Sequence, residues 1–118
     1  MTHATLPSQS LTHLNSLGVE VQADHYYSLT QREQLDALFQ AGTFQQLPWV
    51  LGGGSNTLFT QPPQPWVLHV KLTGRHLTED NDDHVLLRVA AGENWHQLVL
   101  HCLHQGYYGI ENLALIPG

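Results

Sequence analysis

The sequence predicts an α+β fold built from two successive β–α units, and three observations carry that reading. Short runs of β-forming residues alternate with stretches whose apolar positions recur at helical spacing. A proline cluster, "PPQP" at 62–65, breaks the chain near its middle. Each half then holds its own passage between strand and helix. With 118 residues, 42% apolar and 12% charged, the chain has the composition of a small globular domain or of a piece of a larger one.

Residues 1–10 read as a polar, mobile tail. The first unit, 11–63, holds a strand in "HYYSL" (25–29) and a helix whose start carries a capping-box signature, Thr30 followed by Glu33. Leu35, Leu38 and Phe39 fall on one face of that helix, which ends near Gly42. A second short strand, "PWVL" (48–51), runs into Gly52, Gly53 and Gly54. The second unit, 64–118, opens with strands at 66–72 and 84–90, separated by the acidic loop "TEDNDD" (78–83). Asn94 is placed to cap a helix whose apolar face is Trp95, Leu98, Val99, Cys102 and Leu103, ending at Gly106. The apolar segment "YYGIENLALIPG" closes on a Pro-Gly turn signal with nothing after it. On pattern alone, a natural end there and a cut inside a motif are equally good readings.

Charge narrows the partners. The formal net charge is −6, and the four Lys and Arg (Arg32, Lys71, Arg75, Arg88) are scattered. No basic footprint for nucleic acid results, and the balance argues against an anionic membrane surface. The first ten residues lack a signal-peptide pattern and no apolar run has the length of a membrane span. One cysteine, Cys102, excludes an internal disulfide and fits a reducing compartment, so the expected location is cytoplasmic.

Among residues able to carry chemistry, the glycine triplet stands out. After a buried strand, Gly52, Gly53 and Gly54 permit positive φ and close approach to a ligand, and successive N–H groups can converge on a phosphate. Ser55 and Asn56 add a hydroxyl and an amide. The plain alternative is a turn between two strands. The spacing is neither the GxGxxG pattern nor a P-loop. His96, His101 and His104 lie off the apolar face without a carboxylate at ligand spacing, so no metal is expected. Cys102 sits on the buried stripe with no basic neighbour, which suits a core role. "TEDNDD" lacks the glycine and terminal glutamate of a calcium loop and reads as a solvated hairpin.

"VLGGGSNTLF", "VAAGENWHQLV" and "GIENLALIPG", preceded by "LNSLGV" (14–19), occur in the order and at about the spacing of the UDP-N-acetylenolpyruvoylglucosamine reductase family, which the chain resembles over most of residues 11–118. The resemblance implies the two-subdomain FAD-binding fold of the vanillyl-alcohol oxidase (PCMH) type, with the second subdomain incomplete. It implies FAD as cofactor, NADPH as co-substrate and a UDP-sugar substrate reduced to UDP-N-acetylmuramate for peptidoglycan. Carried over, Gly52, Gly53, Gly54, Ser55 and Asn56 would meet the FAD pyrophosphate, with Leu51 at the strand end before them. Ile116, Pro117 and Gly118 would lie beside the cofactor, with Glu111 and Asn112 supporting that segment. The start departs from the family pattern in Leu17, where an aromatic commonly precedes the glycine, and in Leu14. The family's catalytic serine, arginine and glutamate all fall beyond position 118. The resemblance therefore implies an N-terminal piece, inactive by itself and truncated at Gly118. The alternatives are another flavin oxidoreductase of the same fold, or a non-catalytic module binding a nucleotide or a partner.

Overall fold

A computed structural model describes residues 6–117. The central feature is a three-stranded parallel sheet of strands β3 (Tyr26–Leu29), β4 (Trp49–Leu51) and β5 (Val67–Val70), in the order β3-β5-β4. Register pairs Tyr26 with Val67 and Leu29 with Val70 on one side, and Trp49 with Val67 and Leu51 with His69 on the other. Strand β5 follows the proline cluster, so the sheet joins chain from both sides of residues 62–65.

Because side chains alternate across a strand, the sheet buries two separate faces. Val67, Leu51 and Tyr26 pack with Leu11, Ala23 and Phe59 on one side. Leu68 and Leu29 pack with Trp66 and Leu38 on the other, where helix α1 (Glu33–Gln40) lies. Trp66, Leu11, Leu51 and Val67 are fully buried. The indole N–H of Trp66 donates to the Gln46 carbonyl at 2.7 Å, which satisfies its one polar atom.

Two expectations at α1 change. The capping role belongs to Gln34 rather than Glu33: its Oε1 accepts from the Thr30 and Gln31 N–H groups at 2.8 and 2.9 Å. Phe39 is 75% exposed, because an eight-residue helix crossing a narrow sheet covers only a thin stripe, and Leu38 with Leu35 fills it. Gly42 takes φ 75° and ends the helix as expected.

Residues 6–10 are tied down rather than loose. Strand β1 (Gln9–Ser10) pairs antiparallel with β2 (Gln22–Ala23), the Pro7 carbonyl accepts from Tyr26 N–H at 2.8 Å, and Leu6 packs beside Trp66 and Leu68. Between β1 and β2, buried Asn15 organises the loop. Its Nδ2 donates to the Leu11 and Val19 carbonyls, and its Oδ1 accepts from Val19 N–H.

A second layer follows. Strands β6 (Arg75–Asp80) and β7 (Val85–Val89) form an antiparallel hairpin with a register shift between Leu77 and Glu79. The sequence placed a loop at 78–83; the structure gives Thr78–Asp80 to β6 and confines the turn to 81–84. There Asn81 Oδ1 accepts from the Asp83 and His84 N–H groups. Helix α2 (Trp95–His104) begins at Asn94, whose side chain accepts from Gln97 N–H at 2.9 Å, and buries Leu98, Val99 and Cys102. Gly106, at φ 75°, and the bond from Tyr107 N–H to the Cys102 carbonyl close it.

Candidate functional site

Two of the three parallel strands, β4 and β5, run at their C-terminal ends into one groove of about 620 Å³. Parallel sheets commonly bind ligands off those ends, where loops replace the ladder and leave backbone groups unpaired. On one wall, β4 delivers Gly52, Gly53 and Ser55, and β5 delivers His69 and Lys71. The facing wall is the loop from Ala91 to Glu93 and the first turn of α2. Leu115, Ile116 and Pro117 complete the rim.

The glycine turn divides its labour. Of the triplet only Gly54 has a positive φ, 68°. Gly54 is buried, and a Cβ there would collide with the Leu14 carbonyl oxygen and the Asn15 backbone. Its own carbonyl accepts from Ser16 N–H at 3.0 Å. Gly54 thus fastens the turn to the loop that Asn15 holds, and it does not line the groove. Leu51, 1% exposed, anchors the strand end in the core, and Asn56 is exposed outside the groove lining.

Gly52, Gly53 and Ser55 face the groove and are exposed. Among the described residues, no backbone hydrogen bond outside the regular elements uses their N–H groups. Three unpaired donors on one short turn are suited to an anionic oxygen. The net charge of −6 leaves Lys71 as the only Lys or Arg on this wall, while Arg75 is paired with Glu93 Oε1 at 2.8 Å. The N-terminus of α2 adds the partial positive charge of its unpaired amides to the opposite wall.

The 110–117 segment reaches the groove because α2 holds it. Trp95 Nε1 donates to the Leu113 carbonyl at 2.7 Å, and Glu111 Oε2 accepts from Gly109 N–H at 2.6 Å. That backbone bond keeps the Glu111 carboxyl below its ordinary pKa. Leu115 sits at φ 64°, a backbone conformation costly to a residue with a branched side chain. Ile116 and Pro117 line the groove; Gly118 lies outside the described residues. Gly92 allows the facing loop to dock, since a Cβ there would strike the Leu72 backbone, and its N–H donates to the Leu72 carbonyl at 2.8 Å.

Sequence reasoning did not single out His69, Ser16, Glu93 or His96 for this site, and it treated Lys71 only as a scattered cation. The available signal was a histidine and a lysine two apart at the end of an apolar strand, "VLHVK", which shares one face. His69 is 7% exposed and its Nδ1 meets the Tyr26 hydroxyl at 2.5 Å. Burial, then Lys71, pushes its pKa down, while the Gly52 backbone partly opposes them. Burial raises the Tyr26 pKa, so the phenol keeps its proton. Among the described residues no group of three or more His, Cys, Asp or Glu could hold a metal ion, and no helix is long and apolar enough to cross a membrane.

A family model described as an FAD binding domain matches residues 23–118. The UDP-N-acetylenolpyruvoylglucosamine reductase of Amoebophilus asiaticus is 41% identical over 115 residues, covering 96% of this chain and 33% of that protein. The reductase of the same name from Chromobacterium violaceum is 44% identical over 106 residues, 88% of this chain and 31% of that protein. A solved structure of UDP-N-acetylenolpyruvylglucosamine reductase from Thermus caldophilus matches with a TM-score of 0.64 at 24% identity, over 95% of this chain and 38% of that one. The likeness supports the α+β FAD-binding fold. The chain spans about a third of the length of the curated relatives it matches.

Proposed function

The chain belongs to the FAD binding domain family, and from that membership we propose that its groove holds FAD for the reduction of UDP-N-acetylenolpyruvoylglucosamine by NADPH. The observation that carries the reading is the meeting of the 52–55 turn and the 115–117 segment, far apart in sequence, on one groove. The residues present fit such a group: unpaired N–H donors, two exposed glycines whose missing side chains leave the approach open, and Lys71 in the groove lining of a chain of net charge −6.

Within this reading, Gly52, Gly53 and Ser55 give backbone donors to the pyrophosphate, and Lys71 offsets its charge. Leu51 and Gly54 support that turn, Leu51 through the core and Gly54 through its seat on Leu14 and Asn15. Ile116 and Pro117 exclude water on the far side. FAD, when bound, supplies two-electron transfer between the nicotinamide and the enolpyruvyl group. The chain's own part is to bind and orient it. We place the division between two FAD-binding subdomains after residue 70 rather than at 63/64, because β5 is the centre of the first sheet. The relatives' names support the UDP-sugar as substrate, and the cell-wall role follows from it. A cytoplasmic setting agrees with the single, buried cysteine.

The test is a fluorescence titration of the purified chain with FAD, FMN and riboflavin, beside Gly53→Val. Saturable binding that prefers FAD and weakens at least about tenfold in the variant is expected, since a side chain there displaces a charge-assisted hydrogen bond. Equal binding of riboflavin and FAD would remove the pyrophosphate from the groove.

A further inference from the structure

The relation between His69, Tyr26 and Gly52 carries an inference about how the donor turn is held, and it rests on the groove being an anion-binding cofactor site. His69 lies on the central strand, in register with Leu51, one residue before the turn begins. Its ring is edge-on to Tyr26, with centroids 5.8 Å apart. Buried beside Lys71, with Glu93 and His96 on the facing wall, the ring is neutral at pH 7. A neutral imidazole has one donor nitrogen and one acceptor. Protonated Tyr26 can donate to Nδ1, which puts the ring proton on Nε2. Gly52 directly follows Leu51, the register partner of His69, and lines the groove together with that ring; its backbone acts on the ring in the sense of a carbonyl acceptor.

We propose that Tyr26 and His69 are positioning residues for the glycine turn: Tyr26 O–H donates to His69 Nδ1, and His69 Nε2–H donates to the Gly52 carbonyl. In a planar trans peptide the carbonyl and the following N–H point in opposite directions. Fixing the Gly52 oxygen against the strand therefore turns the Gly53 N–H outward into the groove. The turn is glycine-rich and loses much entropy on ordering, so a lock made before ligand arrives improves affinity by preorganisation. Gly54 clamps the turn from its other end through Leu14 and Ser16.

Three measurements on the purified chain test this. Long-range ¹H–¹⁵N spectra at neutral pH should find His69 with a bare Nδ1 and a protonated Nε2; the opposite tautomer overturns the proposal. Amide relaxation at Gly52–Gly54 should give order parameters near those of rigid backbone, about 0.85, falling below about 0.6 in His69→Leu. His69→Gln, which keeps a donor and an acceptor, should restore them. Tyr26→Phe, which keeps the ring in the core, should mix the tautomers and loosen the turn part-way. A turn equally rigid in His69→Leu overturns the proposal, whatever the chain does with flavin. FAD titration should then weaken about tenfold in His69→Leu and under about threefold in His69→Gln. Equal affinity in all three overturns the lock. If the parent binds no FAD while the turn still responds to residue 69, the lock stands and the cofactor reading falls.

Discussion

At Gly53 and Gly54, adjacent glycines have opposite reasons to be glycine. Gly54 is buried at φ 68° with the Leu14 carbonyl where a Cβ would be, whereas Gly53 is exposed on the groove without a positive φ. Gly54→Ala should therefore cost at least about 2 kcal/mol of stability, from left-handed strain plus displacement of the 14–16 loop. Gly53→Ala should cost under about 0.5 kcal/mol and act on flavin affinity instead. Urea unfolding of both variants checks this, and equal losses would mean the turn is one structural unit. His69 adds a pH signature. Its native pKa lies below its ordinary 6.5, so on acidification the unfolded chain takes the proton first. The stability contribution is whole above about pH 6.5 and is lost as pH falls toward the native pKa. The Tm difference between the parent and His69→Gln should shrink from about pH 7.5 to 5.5, read by thermal melts; a constant difference would place His69 at its ordinary pKa.

At the scale of elements, two buried or capping asparagines set how firmly the groove walls stand. Asn94 caps α2 through Gln97 N–H, and that helix holds Leu113 by Trp95. Asn94→Ala should cost about 1 kcal/mol, and amide exchange of 110–117 should quicken with it. Asn15 makes three hydrogen bonds from a buried site under Gly54, and its loss should cost about 2–3 kcal/mol, since Leu11 and Val19 groups would lose their partners. Asn94 was legible in the sequence because a cap is a local pattern: a polar residue before a periodic apolar run. Strands 26–29, 49–51, 67–70 and 85–89 were legible for the same reason. Asn15 was visible only as part of a resemblance, because its partners lie in a loop with no periodicity. Strand β6 was missed because "RHLTED" is exposed along its whole length and carries no apolar alternation. The glycine turn could be marked from composition, but its division into seat and cradle depends on Leu14, a long-range contact. His69 escaped notice because a histidine in an apolar strand acquires meaning only from Tyr26, which β3 brings to it across the sheet.

The whole molecule joins two layers of unequal solidity across the groove. The first has two apolar clusters, one on each face of a parallel sheet, with Trp66, Leu51, Val67 and Leu11 fully buried. The second has Leu98, Val99 and Cys102 inside, but Leu77, Leu86 and Leu113 are at least 42% exposed, and among the described residues its sheet has two strands. Two strands alone are marginal in water, and local opening follows the apolar area buried. Native-state hydrogen exchange should therefore give the largest opening free energies to amides of 26–29 and 67–70. Amides of 75–89 should open at lower cost. Because the groove takes Gly52, Gly53 and Lys71 from the first layer and Trp95, Ile116 and Pro117 from the second, a ligand seated there binds only when both are in place. At about 100 times its Kd, FAD should raise the opening free energy of the second layer by up to about 2.7 kcal/mol, with smaller changes at 26–29. Protection gained only around residues 52–55 would confine the ligand to the first layer and leave the 115–117 segment outside the site.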